Sequence, residues 1–365
     1  MTTSSRSSIP PGERLDGDLD REAISRVDGW LQSRIPALAG SPLPVVTRYA
    51  GGVSNWTYRL RYPGHDLVLR RPPVGTKPKS GHDMARESQI LNCLAPLYPL
   101  VPEALAYCAD PEILGCDFYV MRRIDGLILR RDLPSDLRLS PESARRLCLN
   151  LIDALVALHR VDPQAAGLGE LGRGDGYARR QVAGWTDRYR KARTGNVPRA
   201  ETLMAWLQAH APADVASCVI HNDFRLDNVV LDREQPTRIV GVLDWEMATV
   251  GDPLMDLAGA LAYWVEAGDD PVFRALRRQP THLPGMLTRR EVVTTYCRKA
   301  GIPEISAANW TFYEVFGLFR LAAIAQQIYL RYHRKETRNP AFKHFWLYVH
   351  YLVWRCNRIL RRSGA

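Results

Sequence analysis

The segment His221-Asn222-Asp223-Phe224-Arg225-Leu226-Asp227-Asn228 packs one imidazole, two carboxylates, two amides and one guanidinium into eight residues. Val219-Ile220 precedes it and Val229-Val230-Leu231 follows. A buried strand has no use for so many polar groups, so the apolar flanks predict a tight loop between two short strands. Asp244 lies sixteen residues beyond Asn228, at the end of another apolar strand, Ile239-Val240-Gly241-Val242-Leu243. Pairing that strand with the one leaving the loop brings Asp244 close to Asn228. An amide oxygen and a carboxylate are hard donors suited to Mg2+. Asp223 is then left free to accept a proton from an attacking hydroxyl. Metal ligands plus a carboxylate that orients the nucleophile is the division of labour that phosphoryl transfer requires. Any one of these residues alone reads as a turn residue or a strand-end cap; the set at this spacing points to chemistry.

Two kinds of scaffold are predicted around these groups. Residues 19–38 carry Ile24, Val27, Leu31, Ile35 and Leu38 at helical spacing, with Asp18 or Asp20 as the cap. Strands are predicted over 45–62 (strand, Gly turn, strand), over 66–73 as far as Pro72-Pro73, and over 117–126, with a helix over 81–97. Beyond Gly126 helical patterns dominate: 140–163, opened by Ser140-Pro141-Glu142, then 179–193, 198–211, around 254–266, 308–334 and 348–360. The expected organisation is α+β: a flexible tail (1–18), a strand-rich lobe with one main helix (19–120), a connector (121–126) and a larger, mostly helical lobe (127–365).

His-x-Asp-x4-Asn at 221–228, followed by Leu243-Asp244-Trp245-Glu246, resembles the aminoglycoside phosphotransferase and choline kinase-like group, whose members share the two-lobed protein kinase-like fold. The resemblance implies that Asp223 is the catalytic base, that Asn228 and Asp244 hold Mg2+, and that His221 braces the loop. Arg225 adds positive charge near the acceptor. In the first lobe the resemblance implies that the turn at Gly51, Gly52, Ser54 and Asn55 covers the phosphates of ATP. Glycines allow close backbone approach there. Arg70 stands where the kinase pattern has Lys, with Glu87 as its acidic partner; arginine keeps the charge and grips phosphate bidentately. Backbone at Met121, Arg122 and Ile124, in the expected hinge, is predicted to meet the adenine. The stretches GGVSNWTYRL, VLRRPP, HDMARE, GVLDWEMATVGDPLMDLA and YEVFGLFRLAAIAQQIYLR resemble one branch of the group, the kinase domains related to those fused to acyl-CoA dehydrogenases. That branch implies a hydroxyacyl-CoA-type acceptor.

Composition bounds the partners. The 365 residues are 46% hydrophobic and 24% charged, as in ordinary globular proteins, and no apolar run is long enough to span a membrane. The start of the chain lacks the apolar core of a secretory signal. Seven scattered cysteines form no CxxC pair, which predicts reduced thiols and a cytoplasmic protein. The net charge of +10 disfavours a polycationic acceptor and suits an anionic one, an acyl-CoA among them. No nucleic-acid-reading motif accompanies the charge. The reading is therefore an ATP- and Mg2+-dependent phosphotransferase acting on a small-molecule hydroxyl. A nucleotide-binding pseudokinase, suggested by Arg70, and an aminoglycoside O-phosphotransferase are the alternatives. The oligomeric state is left open.

Overall fold

The computed structural model describes residues 19–49, 55–73 and 83–364; the expected tail and Gly51, Gly52 and Ser54 lie outside the described residues. The chain divides into two compact units, Met1–Asn92 with Pro102–Arg123, and Cys93–Val101 with Ile124–Ala365.

The first unit opens with helix α1 (Arg21–Arg34), whose first turn is capped by the Asp20 carboxylate accepting from Ala23 N at 2.8 Å. The helix ends before Pro36, which starts a 3-10 turn over Pro36–Leu38, so the single helix expected over 19–38 is two pieces. Strands β1 (Val45–Arg48), β2 (Trp56–Tyr62) and β3 (His65–Arg71) precede helix α2 (Met84–Leu94). Strand β4 (Ala104–Cys108), the short helix α3 (Pro111–Leu114) and β5 (Phe118–Arg122) complete the unit. The five strands form one antiparallel sheet in the order β1-β2-β3-β5-β4. Its core side packs Tyr58, Leu60, Leu69, Phe118 and Val120 against Val27 and Leu31 of α1. Burying such side chains stabilises the unit by about 1.5–3 kcal/mol each. Within this core Tyr62 Oη donates to Asp28 at 2.8 Å, and burial pushes the Tyr62 phenol's pKa up.

The second unit is built on helices α4 (Pro141–His159), α5 (Tyr177–Ala192) and α6 (Glu201–Ala209). Four short strands follow, β6 (Cys218–Ile220), β7 (Val229–Leu231), β8 (Ile239–Val242) and β9 (Thr249–Gly251). After them come α7 (Pro253–Leu261), α8 (Pro271–Ala275), α9 (Arg289–Ala300), α10 (Ala307–His333) and α11 (Phe345–Ser363). The short strands form two antiparallel pairs, β6 with β9 and β7 with β8. Helix α10 buries residues on every side through its middle turns, as an interior helix must. Among the described residues no helix is long and apolar enough to cross a membrane. All seven cysteines are free thiols.

Candidate active site

The polar loop leaves β6 at Ile220 and enters β7, in the other strand pair, at Val229, as its apolar flanks require. His221 is fully buried; its Nε2 lies 3.0 Å from the Leu243 carbonyl oxygen, and its Nδ1 accepts from Asp223 N at 3.2 Å. Trp245 stands edge-on to the imidazole with ring centroids 4.8 Å apart. The ring therefore ties the loop to the chain just before Asp244.

Asp223 differs from the sequence-based expectation of a free carboxylate. Arg225 holds it with two bonds, Nε to Oδ1 at 2.8 Å and Nη2 to Oδ2 at 3.0 Å, and Asn228 Nδ2 donates to Oδ2 at 2.9 Å. The reason is the extended backbone at Arg225 (φ −137°, ψ 157°), which turns its side chain back over residue 223. Arg225 also meets Asp227 Oδ2 at 3.1 Å and lies 4.4 Å over the ring of Tyr263. Burial opposes the guanidinium's charge, but Asp223, Tyr263 and Asp227 outweigh it and its pKa is raised. Burial in turn raises the Asp227 pKa, against the pull of Arg225. The loop thus carries a fixed acid–arginine–acid array rather than a lone base.

A second carboxylate, from outside the loop, anchors its backbone. Asp256 in α7 is completely buried. Its Oδ2 accepts from His221 N at 2.8 Å and lies 3.1 Å from His159 Nε2; its Oδ1 accepts from Asn222 N at 2.7 Å. Tyr296 Oη closes the chain 2.7 Å from His159 Nδ1. Burial works to raise the Asp256 pKa, but the bond from His159 and the loop N–H groups outweigh it, and the carboxyl is held below its ordinary range. Helix α7 is itself started by Asp252, whose Oδ1 accepts from Leu254 N and Met255 N and whose Oδ2 accepts from Val215 N. Arg320 of α10 donates from Nη2 to the Asn222 carbonyl at 2.7 Å, and a Cβ at Gly259 would lie 2.5 Å from its Nη1, so a larger residue there would push the guanidinium aside. These contacts hold Asn222 in the left-handed conformation at φ 64°. Asp256, His159 and Arg320 were not singled out from sequence.

The β7–β8 pair brings the expected metal-binding residues to one end of a hairpin. Val229 is opposite Val242, and Leu243 N donates to the Asn228 carbonyl at 2.8 Å, so Asp244 is one residue from the Asn228 cross-strand position. Asp244 adopts φ 70°, ψ 61°. Left-handed backbone in a non-glycine residue is uncommon and clusters at functional sites; here Asn222 and Asp244 are two of four such residues among those described. Asn228 is nine-tenths buried and its amide nitrogen is engaged by Asp223, which leaves its amide oxygen as the atom that could hold a cation. One amide oxygen and one carboxylate fit Mg2+ that also binds phosphate oxygens. Among the described residues no group of three or more His, Cys, Asp or Glu is placed to hold a metal ion. Ile124 packs onto this hairpin: a Cβ at Gly241 would lie 2.4 Å from its Cδ1.

In the first unit Arg70 Nη1 and Glu87 Oε1 form an ion pair of 2.7 Å, with Glu87 nearly inaccessible. Asn55 is buried. Met121 and Arg122 of the expected hinge are strand residues. β5 runs through Met121 and Arg122, because Val68 and Leu67 of β3 pair with them, and the N–H groups of Arg122 and Arg123 donate to Glu103 and Asp66 carbonyls. Arg122 Nε is further bound to Glu103 Oε2 at 2.6 Å.

Residues 45–292 match the phosphotransferase enzyme family. Acyl-CoA dehydrogenase family member 10 of Mus musculus is 39% identical over 306 residues, 84% of this chain and 28% of that protein. Acyl-CoA dehydrogenase family member 11 of Rattus norvegicus is 33% identical over 315 residues, 85% of this chain and 39% of that protein. The chain thus spans about a third of the length of these relatives. A crystal structure of a candidate aminoglycoside phosphotransferase from Ralstonia eutropha JMP134 is 27% identical with a TM-score of 0.77, covering 93% of this chain and 98% of that one.

Proposed function

The chain belongs to the phosphotransferase enzyme family and has its two-lobed kinase-like fold, and we propose that it transfers the γ-phosphoryl group of ATP to a hydroxyl of a small molecule. The observation that carries this reading is the convergence of Asp223, Asn228 and the left-handed Asp244 on one loop and hairpin. Asn228 and Asp244 are the proposed holders of Mg2+, which when bound would draw charge from the phosphate oxygens. Asp223 is the proposed base. A carboxylate has about four lone-pair positions. Arg225 and Asn228 engage one on Oδ1 and two on Oδ2, so we assign proton acceptance to the remaining position on Oδ1. Arg225 holds that oxygen in place and keeps a positive charge next to the alkoxide as it forms. Asp227 and Tyr263 hold Arg225 in turn. Arg70, steadied by Glu87, is the proposed cation for the nucleotide phosphates.

For the acceptor we propose a hydroxyacyl thioester of coenzyme A. The match to acyl-CoA dehydrogenase family members supports an anionic acceptor over a polycationic antibiotic. The test is ADP release from MgATP with hydroxyacyl-CoA esters, with aminoglycosides and with no acceptor. Turnover with the esters alone is expected. Turnover only with aminoglycosides would replace the acceptor, and none with any hydroxyl compound would leave a nucleotide-binding protein without transferase activity.

A further inference from the structure

Residues 331–365 contain nine Lys and Arg against the single acid Glu336, so eight of the chain's ten net positive charges fall in its last 35 residues. Arg355 is held by Asp269 and Asp270, and Arg334 faces Glu336 at 3.9 Å. The other seven have no acidic partner among the described residues. Helix α11 carries much of this charge. Its inner face, with Val349, Leu352, Val353, Cys356 and Leu360, is buried in the second unit. Its outer face holds Leu347 and Trp354, each 49% exposed, two turns apart. The Arg358 guanidinium lies 5.2 Å from the Trp354 ring centre, and Arg361 is one turn further on. At helical spacing Leu347, Trp354, Arg358 and Arg361 fall within an arc of about 60°. Lys343, exposed, lies two residues before the start of the helix, at the end of the 3-10 turn Pro340–Phe342.

The helix dipole accounts for cations in the last turn. It does not account for Lys343 at the opposite end, where a cation is disfavoured, or for a half-exposed Leu and Trp between the charges. We propose that this face of α11 lies on an anionic lipid bilayer, with the basic residues among the headgroups and Leu347 and Trp354 in the interfacial layer. A bilayer offers both an anionic plane and an apolar layer at its edge. A second copy would oppose like charges, and a nucleic acid would engage the cations but give Leu347 no apolar partner. This is surface binding, distinct from spanning, and independent of the phosphotransferase reading.

Sedimentation of the full chain with vesicles tests the proposal. Vesicles of phosphatidylcholine with about a third phosphatidylserine are expected to carry the protein down at low salt, and pure phosphatidylcholine vesicles are not. Each basic residue at the surface is worth about fivefold in partitioning, so Lys343→Ala/Arg358→Ala/Arg361→Ala is expected to weaken binding about a hundredfold. Leu347→Ser/Trp354→Ser is expected to weaken it further at low salt, with thermal unfolding confirming that both variants are folded. No sedimentation of the parent would assign the face to another partner and overturn the proposal. So would equal binding to neutral vesicles, or equal affinity for duplex DNA combined with an unaffected Leu347→Ser/Trp354→Ser variant.

Discussion

Replacing Asp256 by Asn removes a charge while keeping the shape, and the structure sets the size of the effect. The carboxylate accepts from His221 N, Asn222 N and His159 with both oxygens engaged. An amide has one acceptor oxygen, so its NH2 must face a donor: toward Asn222 it strands a buried N–H, at about 1–3 kcal/mol. The remaining bonds lose their charge assistance, roughly half their strength. A total near 3 kcal/mol follows, which for a unit of this size lowers Tm by about 6–12 °C. The loop backbone at Asn222 relaxes with it, and a misplacement of about 1 Å near the reacting groups is worth about a hundredfold in kcat. The pH dependence has a definite sign. The folded Asp256 pKa lies below the ordinary 3.8, burial opposing and His159 favouring the charge. Its contribution is therefore complete above that ordinary value and lost as the pH falls through the folded value. The stability gap between parent and variant, measured by denaturant titration, should be widest above pH 4 and close in acid. An unchanged Tm at neutral pH, together with unchanged turnover, would refute Asp256 as the anchor of the loop.

Arg70→Ala leaves the buried Glu87 carboxylate without its guanidinium; a loss of about 3–5 kcal/mol in stability and strongly weakened transfer are expected, while Arg70→Lys retains part of both. Calorimetric unfolding and initial rates of the three proteins decide it, and equal rates in parent and Arg70→Ala would remove Arg70 from the phosphate contacts. Asp244→Asn keeps a side chain suited to left-handed backbone but weakens the ligand, so Mg2+ titrations of activity should shift to higher metal with little change in Tm; superimposable titrations would exclude Asp244 as a ligand. Thr288→Ala breaks the capping box with Glu291 and should lower stability by about 1 kcal/mol in a denaturant titration without altering the KM for nucleotide.

The loop at 221–228 and the hairpin behind it were legible because polar residues interrupt short apolar runs there, a contrast with few structural solutions. The Arg70–Glu87 pair was legible only through resemblance, since residues seventeen apart on a strand and a helix show no shared period. Asp256 was hidden for a different reason. It binds backbone N–H groups, which every residue owns, so its partners 34 and 35 residues earlier leave no pattern of side-chain type. Arg320 offered a fainter signal, as a lone cation in an apolar helical run. Helix α9 carried a readable start at Thr288-x-x-Glu291 and a stop at Gly301, but Val292, Val293, Thr294 and Thr295 give it the composition of a strand. Strand β4 lies at the sheet edge with a register break between Ala104 and Ala106, and its alternation is blurred accordingly. The bidentate grip of Arg225 on Asp223 follows from loop dihedrals that spacing alone does not specify.

The central claim, transfer of phosphate with Asp223 as base, is tested most directly with γ-labelled ATP, Mg2+ and hydroxyacyl-CoA esters in parent and Asp223→Asn proteins. Parent protein should move label into the acceptor. The variant should bind nucleotide with similar affinity by calorimetry yet transfer label about 10²–10⁴-fold more slowly. Label transfer by the variant at close to the parent rate would contradict the account.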